Sequence, residues 1–238
     1  MSTNPSLEAY SGNLLLDALP EPERTRLIAE TTEVPISVRR TLIKSDSPVH
    51  QVFFPLSGMI SLVALMQDGG SVEVATVGNE GIAGVPEALD PDARTTAEAT
   101  GQVPGKALAL DVETFRRHMS SNDGLARLVH AYLPALFALV AQNSSCNRLH
   151  HSVPRLARWL LITRDRVGSN KFELTHEFMA QMLGARRSTV SEAAQELQES
   201  GMISYVRGQI TILDPEGLRG EACECYELIS ARFARLYD

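Results

Sequence analysis

Six side chains in one short stretch have the types and spacing to read DNA: Arg186, Arg187, Ser188, Thr189, Ser191 and Glu192. A guanidinium can bond O6 and N7 of guanine together, a hydroxyl is permissive, and a carboxylate can accept from cytosine N4. Val190 sits among them and should point inward, leaving the polar side chains on the outer side of a helix. In helix-turn-helix proteins the first turns of such a helix contact the bases. Arg187, Ser188 and Glu192 are the expected base readers. Arg186, Thr189 and Ser191 are expected at phosphates or as supports.

The elements needed to position those residues are legible from Leu174 to Leu213. Thr175 suits an N-cap, with the acidic Glu177 in the first turn and His176 placed to touch a phosphate. Phe178, Met179, Met182 and Leu183 recur at helical spacing. Gly184 can take the positive φ that a tight turn between crossed helices requires. Val190, Ala193, Ala194 and Leu197 then form one stripe, and Gly201 stops the helix. Two strands follow, Met202–Val206 and Gln209–Leu213. Arg207-Gly208 between them has the length of a two-residue hairpin turn, although Arg-Gly is not the favoured pair. Helix, glycine turn, helix and hairpin make a winged helix-turn-helix.

Charge fits this reading only locally. The 238 residues carry a net charge of −7, which alone would repel DNA. Yet residues 1–146 hold 10 Lys and Arg against 17 Asp and Glu, and residues 148–190 hold eight basic against three acidic side chains. The positive field is therefore confined to the expected DNA module. The chain shows no Walker loop, HExxH site or nucleophile–base–acid set, so enzymatic activity is not expected. No run approaches the ~18 apolar residues of a membrane span, and the N-terminus lacks the pattern of a secretion signal. We expect a cytoplasmic protein without a membrane partner.

The N-terminal half is of another kind. A short helix is expected at Pro22–Glu30. Short β-type runs follow at Val34–Val38, Gln51–Phe54, Met59–Met66 and Val72–Val77, with Leu108–Leu110 last, and glycines punctuate them. This pattern suggests a sandwich or barrel. Val112–Met119 reads as a short helix. A long helix runs from about Asn122 to Leu149, with Leu125, Leu128, Val129, Tyr132, Leu133, Leu136, Phe137 and Val140 on a wide apolar face and Pro134 inside it. That face needs a partner. We expect it to pack on its own sheet and also on the same helix of a second subunit. Leu125, Leu128, Val129, Tyr132, Leu136, Phe137 and Val140 are the expected dimer contacts. The apolar members of Val153–Arg166, with Trp159, Leu160 and Leu161, are expected beneath the helix-turn-helix. The fold class is α+β, with units at 1–120, 121–150 and 151–238.

Three cysteines do not make a disulfide framework. Cys223-Glu224-Cys225 is a weak metal motif, and Cys146 is expected near the dimer helix, the place for any redox role. His150 and His151 are adjacent, so on a helix they point about 100° apart and cannot chelate together. They are expected at a surface or hinge. No metal and no cofactor are assigned.

This order of elements resembles the Crp/Fnr family of bacterial transcription regulators. The likeness is carried by RLARWLLITRDRVG (Arg155 to Gly168) and by Leu174 to Gly208, and more thinly by FPLSGMISL and VGNEGIAGV between Phe53 and Arg94. It implies a cyclic-nucleotide-binding-like β-roll, a long dimerisation helix and a winged helix-turn-helix. It also implies a homodimer on two-fold symmetric double-stranded DNA, with RNA polymerase as a partner and an effector that the residues do not name. The family's nucleotide cassette matches Gly78-Asn79-Glu80-Gly81, then Arg94-Thr95. On that pattern Glu80 would meet a ribose hydroxyl and Arg94 a phosphate. Asn79 interrupts the cassette, and Pro86, Asp90, Pro91 and Asp92 reshape its loop. Structural roles for Glu80 and Arg94 are expected, and dependence on cyclic AMP is not. The iron–sulfur branch uses four cysteines, which this chain lacks. Relatives often carry Ser-Arg-Glu-Thr-Val where this chain has Arg186-Arg187-Ser188-Thr189-Val190, so Ser188 replaces a reading Glu. Glu192 lies where the nucleotide-responsive prototype has Arg, so a different operator is expected. The competing expectation is a ligand-binding signalling protein whose helix-turn-helix contacts protein.

Overall fold

The computed structural model describes residues 11–121 and 124–237, without the side chains of His176 and Glu177. The chain opens with α1 (Leu14–Asp17), whose N-cap Asn13 accepts a bond from the Leu16 N–H. Next comes α2 (Glu21–Ala29), with proline and acidic residues in its first turn. The roll consists of β1 (Thr32–Ile36), β2 (Thr41–Ile43), β3 (Gln51–Leu65), β4 (Ser71–Val77), α3 (Val85–Ala88) and β5 (Glu98–Asp111). Its antiparallel sheet runs β1-β5-β3-β4, with β2 also on β5.

Two expected strands, Gln51–Phe54 and Met59–Met66, are one bent strand. β3 is 15 residues long, and its pairing with β5 shifts register repeatedly between Pro55 and Ile60. Gly58 has φ 73°. A Cβ there would lie 2.5 Å from the Val103 carbonyl. Glycine thus bends the strand without ending the ladder, which is why it reads as a break. Side chains such as Phe54, Ile60, Leu110 and Phe115 are almost wholly buried inside, each worth roughly 1.5–3 kcal/mol of apolar transfer.

Asp111 caps α4 (Val112–Ser120) by accepting from the Glu113 and Thr114 N–H groups. The long helix is α5 (Gly124–Leu149), with Pro134 inside it; the expected start at Asn122 lies outside the described residues. Its composition corrects one expectation. With a mean hydropathy of 1.6 it is long and apolar enough to cross a membrane. Part of its apolar face is instead packed within the chain. Leu125, Val129, Tyr132 and Leu136 all lie in the core of the roll.

The second unit holds α6 (Ser152–Val167), β6 (Lys171–Glu173), α7 (His176–Leu183), α8 (Arg187–Glu199), β7 (Ile203–Val206), β8 (Gln209–Ile212), α9 (Pro215–Glu221) and α10 (Cys225–Ala234). Its sheet runs β6-β8-β7 and is antiparallel; β6 is a strand the sequence pattern did not signal. Trp159, Leu160, Phe172, Met179, Val190 and Leu197 share its core. The last helix does not stay with that core. Ile229 and Phe233 of α10 join the core of the roll, and the Phe233 ring lies 6.1 Å from that of Tyr132. The expected unit 151–238 thus reaches back across α5.

α6 also carries a polar seam against the roll. Trp159 Nε1 donates to Glu73 Oε1 at 3.1 Å, and Ser61 Oγ donates to the other carboxylate oxygen at 2.7 Å. Arg158 donates to Asn143 Oδ1 at 2.8 Å, and Asn143 Nδ2 donates to the Val74 carbonyl at 2.9 Å. Arg166 bonds Thr76 and pairs with Glu80. Burial pushes the Glu73 carboxyl up to about 7 although Ser61, Trp159, Arg166 and Arg158 pull it down.

Candidate nucleic-acid interface

The position of α8, the expected reading helix, is set by its neighbours. Thr175 is the N-cap of α7, its hydroxyl accepting from the Phe178 N–H at 3.2 Å. Gly184 closes α7 in the left-handed region, with φ 55°. A Cβ there would meet Val72 Cγ2 at 3.1 Å, so backbone conformation and proximity to the roll both favour glycine. α8 then begins with Arg186 as N-cap and no side-chain cap. Among the described residues its first N–H groups therefore have no side-chain cap, an arrangement that suits a phosphate oxygen.

Val190, Ala193, Ala194 and Leu197 are buried beneath α8. Arg186, Arg187, Ser188 and Glu192 are exposed, while Thr189 and Ser191 are partly so. Ser191 Oγ donates to the Arg187 carbonyl at 2.9 Å, back-bonding within the helix. Arg187, Ser188 and Glu192 are thus all open, with Ser188 and Glu192 one turn apart. Thr175 lies elsewhere, in a cleft of about 670 Å³ that the wing shares with Val38, Arg39 and Gln102 of the roll. The His176 side chain lies outside the described residues.

Two residues missed by sequence reasoning are exposed on this module, Gln195 on α8 itself and Arg207 on the rim of the cleft that holds Thr175. Gln195 is exposed one turn beyond Ser191 and donates to Glu199 at 2.7 Å; its i+4 spacing from Ser191 was the available signal. Arg207 is exposed at the hairpin tip, with φ 50°, beside Gly208 at φ 81°. Both positive angles belong to a type I′ turn, so the unfavoured Arg-Gly pair places a cation at the tip of the wing. The electrostatic picture also needs correcting. Arg155, Arg158 and Arg166, counted in the basic stretch, are at most 8% exposed and serve internal contacts. The outward positive charge comes from residues such as Lys171, Arg186, Arg187 and Arg207.

The expected dimer face divides. Leu125, Val129, Tyr132 and Leu136 are buried in the chain's own core and cannot meet a partner. Phe137 is 75% exposed, and Leu128, Leu133 and Val140 are half-buried. Arg127, Ala131, Pro134, Phe137, Ala141, Ser144 and Arg148 of α5 are also open, at spacings of three and four along the helix.

Glu80 and Arg94 do not converge on a ligand site. Glu80 accepts from the Gly78 N–H at about 3.1 Å and pairs with Arg166 at 2.8 Å. Arg94 is exposed and donates to the Asp46 carbonyl at 2.7 Å. Between the roll and α5 lies an apolar cavity of about 490 Å³, lined by residues including Leu62, Val74, Pro86, Ala99, Leu136 and Phe137. Neither Glu80 nor Arg94 lines it. The thiols, to which the sequence assigned no metal, also cluster. Folding brings Cys146, His150, Cys223 and Cys225 together, because the α9–α10 turn returns to the end of α5. His151 takes no part and is the N-cap of α6.

Comparison with known proteins bears on both units. Residues 154–221 match the Crp-like helix-turn-helix domain and residues 34–122 the cyclic nucleotide-binding domain. The CRP-like cAMP-activated global transcriptional regulator of Mycobacterium tuberculosis is 24% identical over 190 residues, covering 76% of this chain and 84% of that protein. The global nitrogen regulator of a Nostoc species is 24% identical over 187 residues, covering 74% and 82%. A Crp/Fnr-family regulator structure from Eubacterium rectale superposes with a TM-score of 0.68 at 16% identity, covering 89% of this chain and 99% of that one.

Proposed function

The chain belongs to the Crp/Fnr family and is a DNA-binding transcription regulator, and from that premise we propose that it works as a homodimer on a two-fold symmetric site without needing cyclic AMP. One observation carries the DNA reading: α8 buries Val190, Ala193, Ala194 and Leu197 while leaving Arg187, Ser188 and Glu192 exposed to solvent. In this reading Arg187 takes guanine, Glu192 accepts from cytosine and Ser188 tolerates either neighbour. Arg186, Thr189, Ser191 and the wing's Arg207 hold phosphates.

The second subunit docks on the open side of α5, with Phe137 at its centre and Leu128 and Val140 beside it. This placement is supported by the exposure of Phe137 and by the spacing of its open neighbours. The two reading helices then fall on half-sites about one helical turn apart. RNA polymerase is the protein partner that the family resemblance supplies.

The mycobacterial relative is named as cAMP-activated. Three features argue for a different input here. Glu80 is engaged by Arg166, Arg94 is turned to the Asp46 carbonyl, and the cavity facing α5 is apolar. A cyclic phosphate would find no cation among the described residues that line that cavity.

Selection from random duplex DNA, followed by sequencing, tests the proposal. We expect an inverted repeat, recovered equally well with and without cyclic AMP. Enrichment of no sequence would refute the DNA reading, and enrichment only with the nucleotide would refute independence from it.

A further inference from the structure

Cys146, His150, Cys223 and Cys225 each bring one donor atom to a common point, and all four atoms lie within 4.8 Å of one another. Cys146 and His150 are one turn apart, since the His150 N–H still bonds the Cys146 carbonyl at 3.1 Å. Cys223 and Cys225 flank Glu224 where α9 turns into α10. Cys146 Sγ lies 3.6 Å from Cys223 Sγ, and Cys225 Sγ lies 3.6 Å from His150 Nδ1. A tetrahedral ion with bonds of about 2.0–2.3 Å holds its ligand atoms about 3.5–3.8 Å apart.

The surroundings favour an ion over chance proximity. The three cysteines are at most 8% exposed and form a cluster separate from both cores. His150 Nε2 lies 3.2 Å from Glu224 Oε1, leaving Nδ1 toward the sulfurs. A carboxylate orienting a histidine in this way is the usual outer support of a metal ligand. Gln142 Nε2 donates to Cys225 Sγ at 2.9 Å. Three thiolates around a divalent ion leave one negative charge in excess, and the buried guanidiniums of Arg155 and Arg158 act on these sulfurs. A disulfide would join only two of the three sulfurs, and its bond of about 2.05 Å is far shorter than the separation seen.

We propose that Cys146, His150, Cys223 and Cys225 bind one thiophilic divalent cation of the zinc class in a closed tetrahedral site. Sulfur-rich sets with one imidazole select such ions over magnesium or calcium. The ion ties the end of α5 to the α9–α10 turn, beside the start of α6, to which the Cys223 N–H also bonds through the Pro154 carbonyl at 3.4 Å. It would therefore brace the junction between the long helix and the DNA-binding unit. The assignment does not depend on what DNA the protein reads.

Full-length protein purified with zinc and without chelators should contain one zinc per chain by mass spectrometry. Replacing zinc with cobalt should give the intense visible bands of tetrahedral cobalt and a sulfur-to-cobalt charge-transfer band. Cys225→Ser should lose the stoichiometric metal. In competition with a chromophoric chelator, His150→Ala should lower affinity at least tenfold and Glu224→Gln about tenfold, while His151→Ala should leave it unchanged. His150 is partly exposed, so circular dichroism can confirm that its variant stays folded. The cobalt spectrum of the wild type needs no variant at all. Weak octahedral cobalt bands, zinc retained by both Cys225→Ser and His150→Ala, or a metal-free protein with a Cys146–Cys223 disulfide would each overturn the assignment.

Discussion

Arg166 Nη2 of α6 lies 2.8 Å from Glu80 Oε1, with the two side chains only 7% and 10% exposed. The pair fastens the DNA-binding unit to the loop of the roll that resembles a nucleotide cassette. Glu80 is therefore occupied by protein, and its backbone carbonyl also accepts from the Tyr237 hydroxyl. One loop thus meets α6 and the C-terminal segment together.

Removing one partner of this pair should cost more than removing both. Arg166→Met leaves a buried carboxylate without its cation, a loss of about 3–5 kcal/mol. The Glu80→Gln, Arg166→Met double variant should recover much of it. Urea denaturation of the four proteins in the cycle measures this; single and double losses that simply add would show that the pair does not couple.

Arg187→Ala should weaken binding to the preferred duplex by about 1–3 kcal/mol and relax choice at one base pair in each half-site. Arg207→Ala should weaken all duplexes alike and reduce the salt slope by about one unit. Binding to a panel of single-base variants separates the two. An unchanged preference after Arg187→Ala would remove it from the reading set.

The division of α5 gives paired expectations at neighbouring positions. Phe137→Glu should shift the protein from dimer to monomer in ultracentrifugation while leaving its melting temperature nearly unchanged. Leu136→Glu puts a charge into the core and should lower the melting temperature sharply. A tight dimer of Phe137→Glu would move the interface elsewhere.

Glu73 sets a pH dependence with a definite sign. Its carboxyl rises from the ordinary 4.5 to about 7 in the fold, chiefly because it is buried, against the pull of Ser61, Trp159, Arg166 and Arg158. The folded chain therefore holds this proton more tightly than the unfolded chain. The stabilisation is complete below pH 4.5 and is lost as pH rises to about 7. Stability across that range should fall less steeply in Glu73→Gln than in wild type, as followed by denaturant midpoints. Parallel profiles would exclude Glu73 as the titrating group.

The winged module was legible because its signals are local. Thr175, Gly184, Gly201 and the hairpin each speak through spacing within a few residues, and the apolar stripe of α8 is periodic. What stayed hidden depended on residues far apart in the chain. Arg155, Arg158 and Arg166 count toward the positive balance of the DNA module until Asn147, Asn143 and Glu80 are brought to them. The apolar face of α5 could not be divided between roll and partner by periodicity, because both uses require the same residue types. Gly58 read as a strand end because a bend and a break have one signature. Cys146 and Cys223 are 77 positions apart, so no spacing rule joins them with His150 and Cys225.

On the proposed function, two chains together read one DNA sequence through α8. Fluorescence anisotropy on the selected inverted repeat and on a scrambled duplex, across a series of salt concentrations, tests it most directly. Two chains should bind per repeat, about 10³-fold or more tighter than on the scrambled duplex at physiological salt, and affinity should fall linearly in log–log with salt. Equal affinity for the two duplexes, or none for either, would refute the proposed function and leave the helix-turn-helix as a protein-contact surface.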